Sequence, residues 1–491
     1  MPRGRPRTHE GKEYKTITRR KRKDGNFDVI EVTSKYDPEA QNNRPVSSRK
    51  LGVLLAGYQD ADKEMIRMGT PEMAEFTRKA RMRRWPGKAT PEPPEAPAAL
   101  ACGAALIPDE RQEGKVEFPL QIVVMVLILA AMAGVTSTYK AAEFWKTFRP
   151  VFEVIFPGFP SEDISHDTVR RVTQLLGRAD NEKFLRTLTQ PLIREGKRRR
   201  HIAIDGQAVS AAEIDGVRPF IFTAYDCVNR LTITQRLIQA KKNEISEAVS
   251  LILPLDLRGC ILTADAMNTQ KAFTQTLVLE KKCDYMLALK RNHLNLYDSV
   301  KARFELEPPD GLHGGRPALK TWKSKKHSSC EKGHGRVEQR FVRVLPASML
   351  HGDDLAGWEG LADGIIVEAV TERFFPKTGE TTKEARYFIS SLSPEGEGIA
   401  EEAAEAIRNH WCIENEQHWV LDTTFQQDKT QCRNADFLAG RSLILKAANN
   451  FLSAIQDSET KDPEERPSKE CLKVRCMDIR RTWDVLCEIL G

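Results

Sequence analysis

The stretch between residues 201 and 290 constrains this chain more than any other, because its apolar runs come in a telling order. Three short runs with strand character open it: IAIDG (202–206), RPFIFTAYD (from Arg218) and RLTITQRLI (from Arg230), the last two joined by a turn around Asn229. KKNEISEAVSLILPL follows, in which Asn243 can cap a helix whose first turn carries Glu244 and Glu247, the charge sign that suits the positive end of a helix dipole. Then come a buried run, ILTADA (261–266), a helical segment (269–281) and a further apolar run, DYMLALK (284–290). Three strands followed by helix, strand, helix, strand predicts an α/β fold with a mixed sheet, an antiparallel meander feeding parallel strands.

Two acids sit where such a sheet gathers its chemistry. Asp205 and Asp265 each stand at the C-terminal end, or just past the apolar core, of a predicted strand, and that edge is where α/β sheets carry functional side chains. Glu414 lies in a strongly helical run, AEEAAEAIRNHWCIENEQHWVL (400–421). Two strand-borne aspartates and one helix-borne glutamate can converge, and at close range they repel one another unless cations stand between them. Carboxylate oxygens are hard ligands that select Mg²⁺ or Mn²⁺. Two such ions can activate a water or a 3′-hydroxyl and stabilise the leaving oxygen of a phosphoryl transfer. Spacing alone leaves the alternative that these aspartates are caps or surface residues. His410 and His418 flank Glu414 at four-residue spacing, which predicts one shared helix face. Zinc is the rival reading there, but HExxH is absent and three acids suit Mg²⁺ better.

The remaining chain is read by composition. Its 491 residues are 40% hydrophobic and 29% charged, enough apolar material for a sizeable core and more than one domain. The net charge of +6 is too small to decide a partner, but its placement favours a polyanion: residues 1–24, 78–84 and 197–200 are basic clusters. PRGRPR (2–7) resembles an AT-hook, in which Arg3, Arg5 and Arg7 would lie in a narrow minor groove; a basic tail without groove preference is the equal alternative. Residues 46–84 look weakly helical, and WPGKATPEPPEAPAA (85–99) reads as a Pro-rich linker. The domains expected are a basic arm and small DNA-binding region (1–84), a linker (85–104), an all-helical DNA-binding domain (105–195), a catalytic domain (196–293 with 396–456), a β-rich insertion (294–395) and a peripheral charged tail (457–491). The phenylalanines 144, 148, 152 and 156 share a helix face as core packing. IVVMVLILAAMAGV (122–135) is too short for a confident membrane span and reads as a buried helix. Ten cysteines without a CxxC pair exclude a zinc ribbon or a small disulfide framework and fit a reducing cytoplasm. A cytoplasmic, nucleoid-associated protein is expected, with no membrane partner.

HWCIENEQHWVLDTTFQQD (410–428) resembles the C-terminal signature of DDE transposases of bacterial insertion sequences, closest to their H-repeat-associated (ISAs-type) branch. IPDERQEGKVEFPL (107–120), SHDTVRRV (165–172), IAIDG, KKNEI, ILTADAMNTQ, DYMLALKRN, GHGRVEQR (333–340) and RYFISSL (386–392) resemble the same branch in the same order, so the likeness spans about residues 105–456. The resemblance implies a ribonuclease H-like catalytic domain with a β-strand insertion before the last catalytic helix. It implies that Asp205, Asp265 and Glu414 are the three catalytic carboxylates and hold two Mg²⁺ or Mn²⁺ ions. Two departures concern substrate contacts: Gln207 stands where the family commonly has Lys, and Arg291-Asn292-His293 stands where Gly-Asn-Gln is usual.

The expected partner is double-stranded DNA, both element ends and target. Arg170 and Arg171, Lys242, Lys290, Arg336, Arg408 and His410 are candidate DNA contacts, with solvated surface roles as the alternative. Trp322 and Trp358 lie in the insertion, where some related transposases hold a flipped base; core packing is the plainer reading. Transfer of both ends needs two copies held together, so a homodimer on DNA is expected. Two rival functions remain open: a domesticated DNA-binding protein without chemistry, and a metal-dependent nuclease that does not join.

Overall fold

The structure, a computed structural model, describes residues 13–21, 27–37, 42–54, 66–67 and, apart from short gaps and the segment 307–323, residues 107–490. The chain divides into two units, Met1–Pro93 and Pro94–Gly491.

In the first unit, β1 (Glu13–Lys21), β2 (Phe27–Asp37), β3 (Asn42–Leu54) and β4 (Ile66–Arg67) form an antiparallel sheet in sequence order. This corrects the expectation of weak helix from residue 46, since β3 runs through Leu54. Tyr14, Thr16, Ile17 and Thr18 in β1, and Val29, Ile30, Val32 and Thr33 in β2, are β-branched or aromatic and favour a pleated backbone. The lysines and arginines between them obscure the alternation. Pro45 falls beside the register shift at Thr33/Ser34, a place where a missing N–H is tolerated. Arg3, Arg5 and Arg7 lie outside the described residues.

The second unit holds a nine-stranded mixed sheet. Its strands are β5 (His201–Ala208), β6 (Phe220–Asp226), β7 (Leu231–Ile238), β8 (Ile261–Ala264), β9 (Asp284–Leu289), β10 (Lys325–Gly333), β11 (Arg336–Pro346), β12 (Ile365–Phe375) and β13 (Glu380–Ser390). Their order across the sheet is β10-β11-β12-β13-β9-β8-β5-β6-β7. β5, β6 and β7 are the antiparallel meander, and β5, β8 and β9 run parallel. The β-rich stretch of residues 294–395 extends this same sheet, β13 pairing with β9 from Tyr387↔Leu289 to Ser390↔Met286.

Helices cover the sheet and form a layer of their own. Apart from the single turn Gly352–Leu355, in chain order they are α1 (Leu120–Met132), α2 (Thr138–Ile155), α3 (His166–Leu176), α4 (Glu182–Thr189), α5 (Glu244–Ile252), α6 (Lys271–Gln275), α7 (Leu294–Leu306), α8 (Ile399–His410), α9 (Trp419–Thr423), α10 (Ala435–Glu459), α11 (Lys469–Arg475) and α12 (Ile479–Leu490). All of α1 except Gln121 and Ile122 is buried, as an all-round apolar helix must be. Among the described residues no helix is long and apolar enough to cross a membrane. Ser165 caps α3 by accepting the Thr168 N–H. The phenylalanines of α2 stack inward, Phe144 against Phe148 at 4.7 Å and against Phe152 at 5.9 Å between ring centroids.

One apolar cluster joins α1–α4 to α10, α11 and α12. The last stretch of chain is therefore not peripheral. Ile479, Trp483 and Leu486 recur at helical spacing among charges and are buried, and Trp483 meets the edge of Phe156 at 4.8 Å. Where α3 crosses α10 the two backbones touch at Gly177 and Gly440: a Cβ on either would collide with backbone atoms of the other helix.

Candidate active site

The sheet brings the two aspartates together. Residues 201–204 of β5 are fully buried and the strand emerges at Asp205. β8 lies parallel beside it in the register Ile204↔Ala264, so Asp205 and Asp265 each follow the last residue of that pairing. They stand side by side at the same edge of neighbouring strands, whose usual separation is about 4.8 Å. Asp265 has left the ladder and precedes a 3₁₀ turn, Ala266–Asn268. The 291–293 departure braces that turn: Asn292 Nδ2 donates to the Ala266 carbonyl at 2.9 Å, and the His293 ring meets the Thr269 carbonyl at 2.6 Å.

Glu414 is carried by a helical segment. The expected unbroken helix is interrupted, because Ile413–His418 forms a π turn between α8 and α9, a wide turn often found at functional sites. Ile413 anchors it in a small core with Ala203 and Tyr225. Burial, then the like charge of Asp265, raises the Glu414 carboxyl above its usual range, while Arg386 pulls the other way. The widened turn sends the two histidines to different aspartates rather than along one regular face. His410 Nε2 lies 4.0 Å from Asp265 Oδ1, and its Nδ1 lies 3.1 Å from the Thr263 hydroxyl. His418 Nδ1 lies 3.5 Å from Asp205 Oδ2. Burial lowers both imidazoles; for His418, burial and then the charge of Lys446 push it down to about 3, so the ring is neutral. Among the described residues, no three His, Cys, Asp or Glu side chains stand close enough to hold a metal ion as they are.

A buried polar layer backs Asp205. Gln207 Nε2 donates to Asp422 Oδ2 at 2.7 Å, so this departure is tied into the protein. Lys446 of α10 is fully buried and donates to Thr223 Oγ1 at 2.7 Å; Thr223 is the cross-strand partner of Asp205. On the other flank a recess of about 350 Å³ opens beside Asp265, lined by Lys290, Arg386, Tyr387, His410 and Trp411 among others. Arg386 lies over the Trp411 ring at 5.1 Å and is held by Glu384 at 2.9 Å.

Of the other residues singled out in the sequence, exposed Lys290 joins the site at this recess. Arg408 pairs with Glu331 of β10 at 3.2 Å. Arg336 pairs with Glu338 at 3.1 Å, at the start of β11. Arg170 and Arg171 are exposed on α3. Lys242 and Trp322 lie outside the described residues. Trp358 is buried against His293 at 5.0 Å, which is core packing. Sequence reasoning did not single out Arg386, although it opens the RYFISSL segment, nor Lys446, whose only signal is a lysine inside an apolar helical run.

Residues 196–451, just over half of the chain, match the family described as Transposase DDE domain. Among known proteins, the chain is 29% identical over 358 residues to the putative transposase YncI of Escherichia coli O157:H7, covering 72% of this chain and 87% of that protein. It is 28% identical over 355 residues to the H repeat-associated putative transposase YhhI of Escherichia coli strain K12, covering 71% and 89%. An uncharacterized protein in the dhlA 3′ region of Xanthobacter autotrophicus is 28% identical over 299 residues, covering 58% and 92%.

Proposed function

The chain belongs to the transposase DDE domain family, and on that premise we propose that it binds the inverted-repeat ends of an insertion sequence, cleaves them, and transfers the 3′ ends to target DNA. The catalytic unit is read as ribonuclease H-like, and a homodimer on double-stranded DNA as the working form. The observation that supports the reading is the placement of Asp205 and Asp265 at one edge of adjacent parallel strands, with Glu414 near enough for its carboxyl to feel the charge of Asp265.

The donor chemistry fits Mg²⁺ or Mn²⁺. All three ligands are hard carboxylate oxygens, and the repulsion between Glu414 and Asp265 is what a cation between them relieves. Asp205, Asp265 and Glu414 would hold two ions, which supply activation of the attacking oxygen and stabilisation of the leaving one. The chain's own residues do the rest. Neutral His418 and His410 lie beside Asp205 and Asp265, at 3.5 and 4.0 Å, without competing as cations. Lys290 and Arg386, at the recess beside Asp265, supply positive charge for the backbone of the cleaved strand. Arg170 and Arg171, exposed on α3, are read as contacts to DNA outside the reacting step.

Cleavage of a labelled element-end duplex in Mg²⁺ tests this. Asp205→Ala, Asp265→Ala and Glu414→Ala should each abolish cleavage while leaving duplex affinity and the unfolding midpoint near wild type. Tight binding with no cleavage by the wild type would replace this reading with a DNA-binding protein that does no chemistry.

A further inference from the structure

The turn between β6 and β7 carries an arginine where glycine would sit without strain. Arg230 has a φ of 60°, a region unfavourable for an L side chain. Asp226 shapes the turn before it, accepting the Val228 and Asn229 N–H groups at 3.1 and 2.9 Å. The Arg230 side chain is only 14% exposed, and its donors reach two other elements. Nε donates to Glu416 Oε2 at 2.9 Å, Nη1 to Asp457 Oδ1 at 3.2 Å and Nη2 to Gln456 Oε1 at 2.8 Å. The Tyr225 hydroxyl reaches the same Glu416 oxygen at 3.4 Å. Asp457 and Gln456 lie near the end of α10, and Glu416 lies in the π turn, two residues beyond Glu414.

A strained backbone kept in place by several directed contacts marks a geometry that the surroundings hold. The π turn benefits from such holding, since this hydrogen-bonding pattern is rare and occurs mostly as single turns inside α-helices. We propose that Arg230 is a positioning residue for Glu414. By gripping Glu416 it fixes the π turn to the β6–β7 turn and to the end of α10, and so sets where the Glu414 carboxylate stands relative to Asp265. This rests on the reading of Glu414 as the third carboxylate.

Arg230→Gly in the full chain removes the guanidinium and suits the left-handed backbone, so the turn itself is preserved. Hydrogen–deuterium exchange of the segment 411–423 reads the clamp without DNA or metal, and it should quicken there while the sheet strands stay protected. End cleavage should fall on the order of 10–100-fold in kcat, with KM for the duplex unchanged. Glu416→Gln should reproduce both effects, the double variant should fall no further, and Arg230→Lys should recover part of the rate. Unchanged exchange across 411–423, or full-rate cleavage by Arg230→Gly, overturns the proposal. Full cleavage by Glu414→Ala is a different failure: it removes the assignment of the third carboxylate, whatever the exchange shows.

Discussion

Replacing Gly440 with alanine sets two effects of opposite sign against each other. Inside a helix, alanine is favoured over glycine by about 1 kcal/mol. The crossing of α3 and α10 opposes it. A Cβ on Gly440 would stand 2.9 Å from the Gly177 nitrogen and 3.0 Å from the Thr173 carbonyl carbon, and nearer still to the Thr173 carbonyl oxygen. Backbone atoms cannot rotate away, so the helices must part by on the order of 1 Å, and a gap of that size forfeits a quarter to a half of the dispersion energy of each contact it opens. Val169, Val172, Leu176 and Leu443 are buried in this layer, and full burial of such side chains stabilises by about 1.5–3 kcal/mol each. Losing that fraction from four of them costs about 1.5–6 kcal/mol, which leaves a net loss of roughly 0.5–5 kcal/mol after the propensity gain. Urea unfolding followed by circular dichroism measures it. Gly177→Ala should act in the same direction, and the double variant should cost less than the sum, because one separation accommodates both methyl groups. A Gly440→Ala protein more stable than wild type by about 1 kcal/mol would refute the reasoning, since propensity would then be acting alone.

Two further outcomes follow from burial. The Asp422 carboxyl is pushed up to about 6, first by burial and then by Asp428, against the pull of Gln207. An unfolded aspartate titrates near 4, so the folded state retains a proton that the unfolded state has released. The destabilisation is absent below pH 4, grows between 4 and 6, and is complete above 6. Asp422→Asn should therefore stabilise the protein at pH 7.5, by about 1–2 kcal/mol once partial exposure is discounted, and give no such gain at pH 4; equal gains at both would show that charge is not the cause. Trp483→Ala should destabilise by about 3–5 kcal/mol in the same urea titration, whereas a loss under about 0.5 kcal/mol would return α12 to the status of a surface appendage.

The central sheet was legible because local and long-range signals agree there. β5 to β9 are short apolar runs bounded by turns, and their order leaves few arrangements, so Asp205 and Asp265 could be placed at one edge from the pattern alone. Glu414 could be placed on a helix, but the π turn could not be seen, because one extra residue per turn leaves no mark on an apolar pattern. The strands of residues 13–67 were hidden by their charges, and α12 by the charges between Ile479, Trp483 and Leu486. Arg386 and Lys446 approach the acids only through tertiary folding, from a strand and a helix far along the chain. Arg230 read as the first residue of a strand, since nothing local announces that its guanidinium spans to α10.

The contact between Phe156 and Trp483 also orders events in time. Chains are synthesised from the N-terminus, and structure forms as segments become available. α1 to α4 leave the ribosome before the sheet strands, yet the apolar layer they share is closed by α10 and α12, separated from them by the whole nine-stranded sheet. Until α12 emerges, Phe156 has no Trp483 to cover it, and the early helices must wait with an unfinished face. The layer that seats α3 against α10 is therefore completed only after the sheet strands and α10 and α12 have followed.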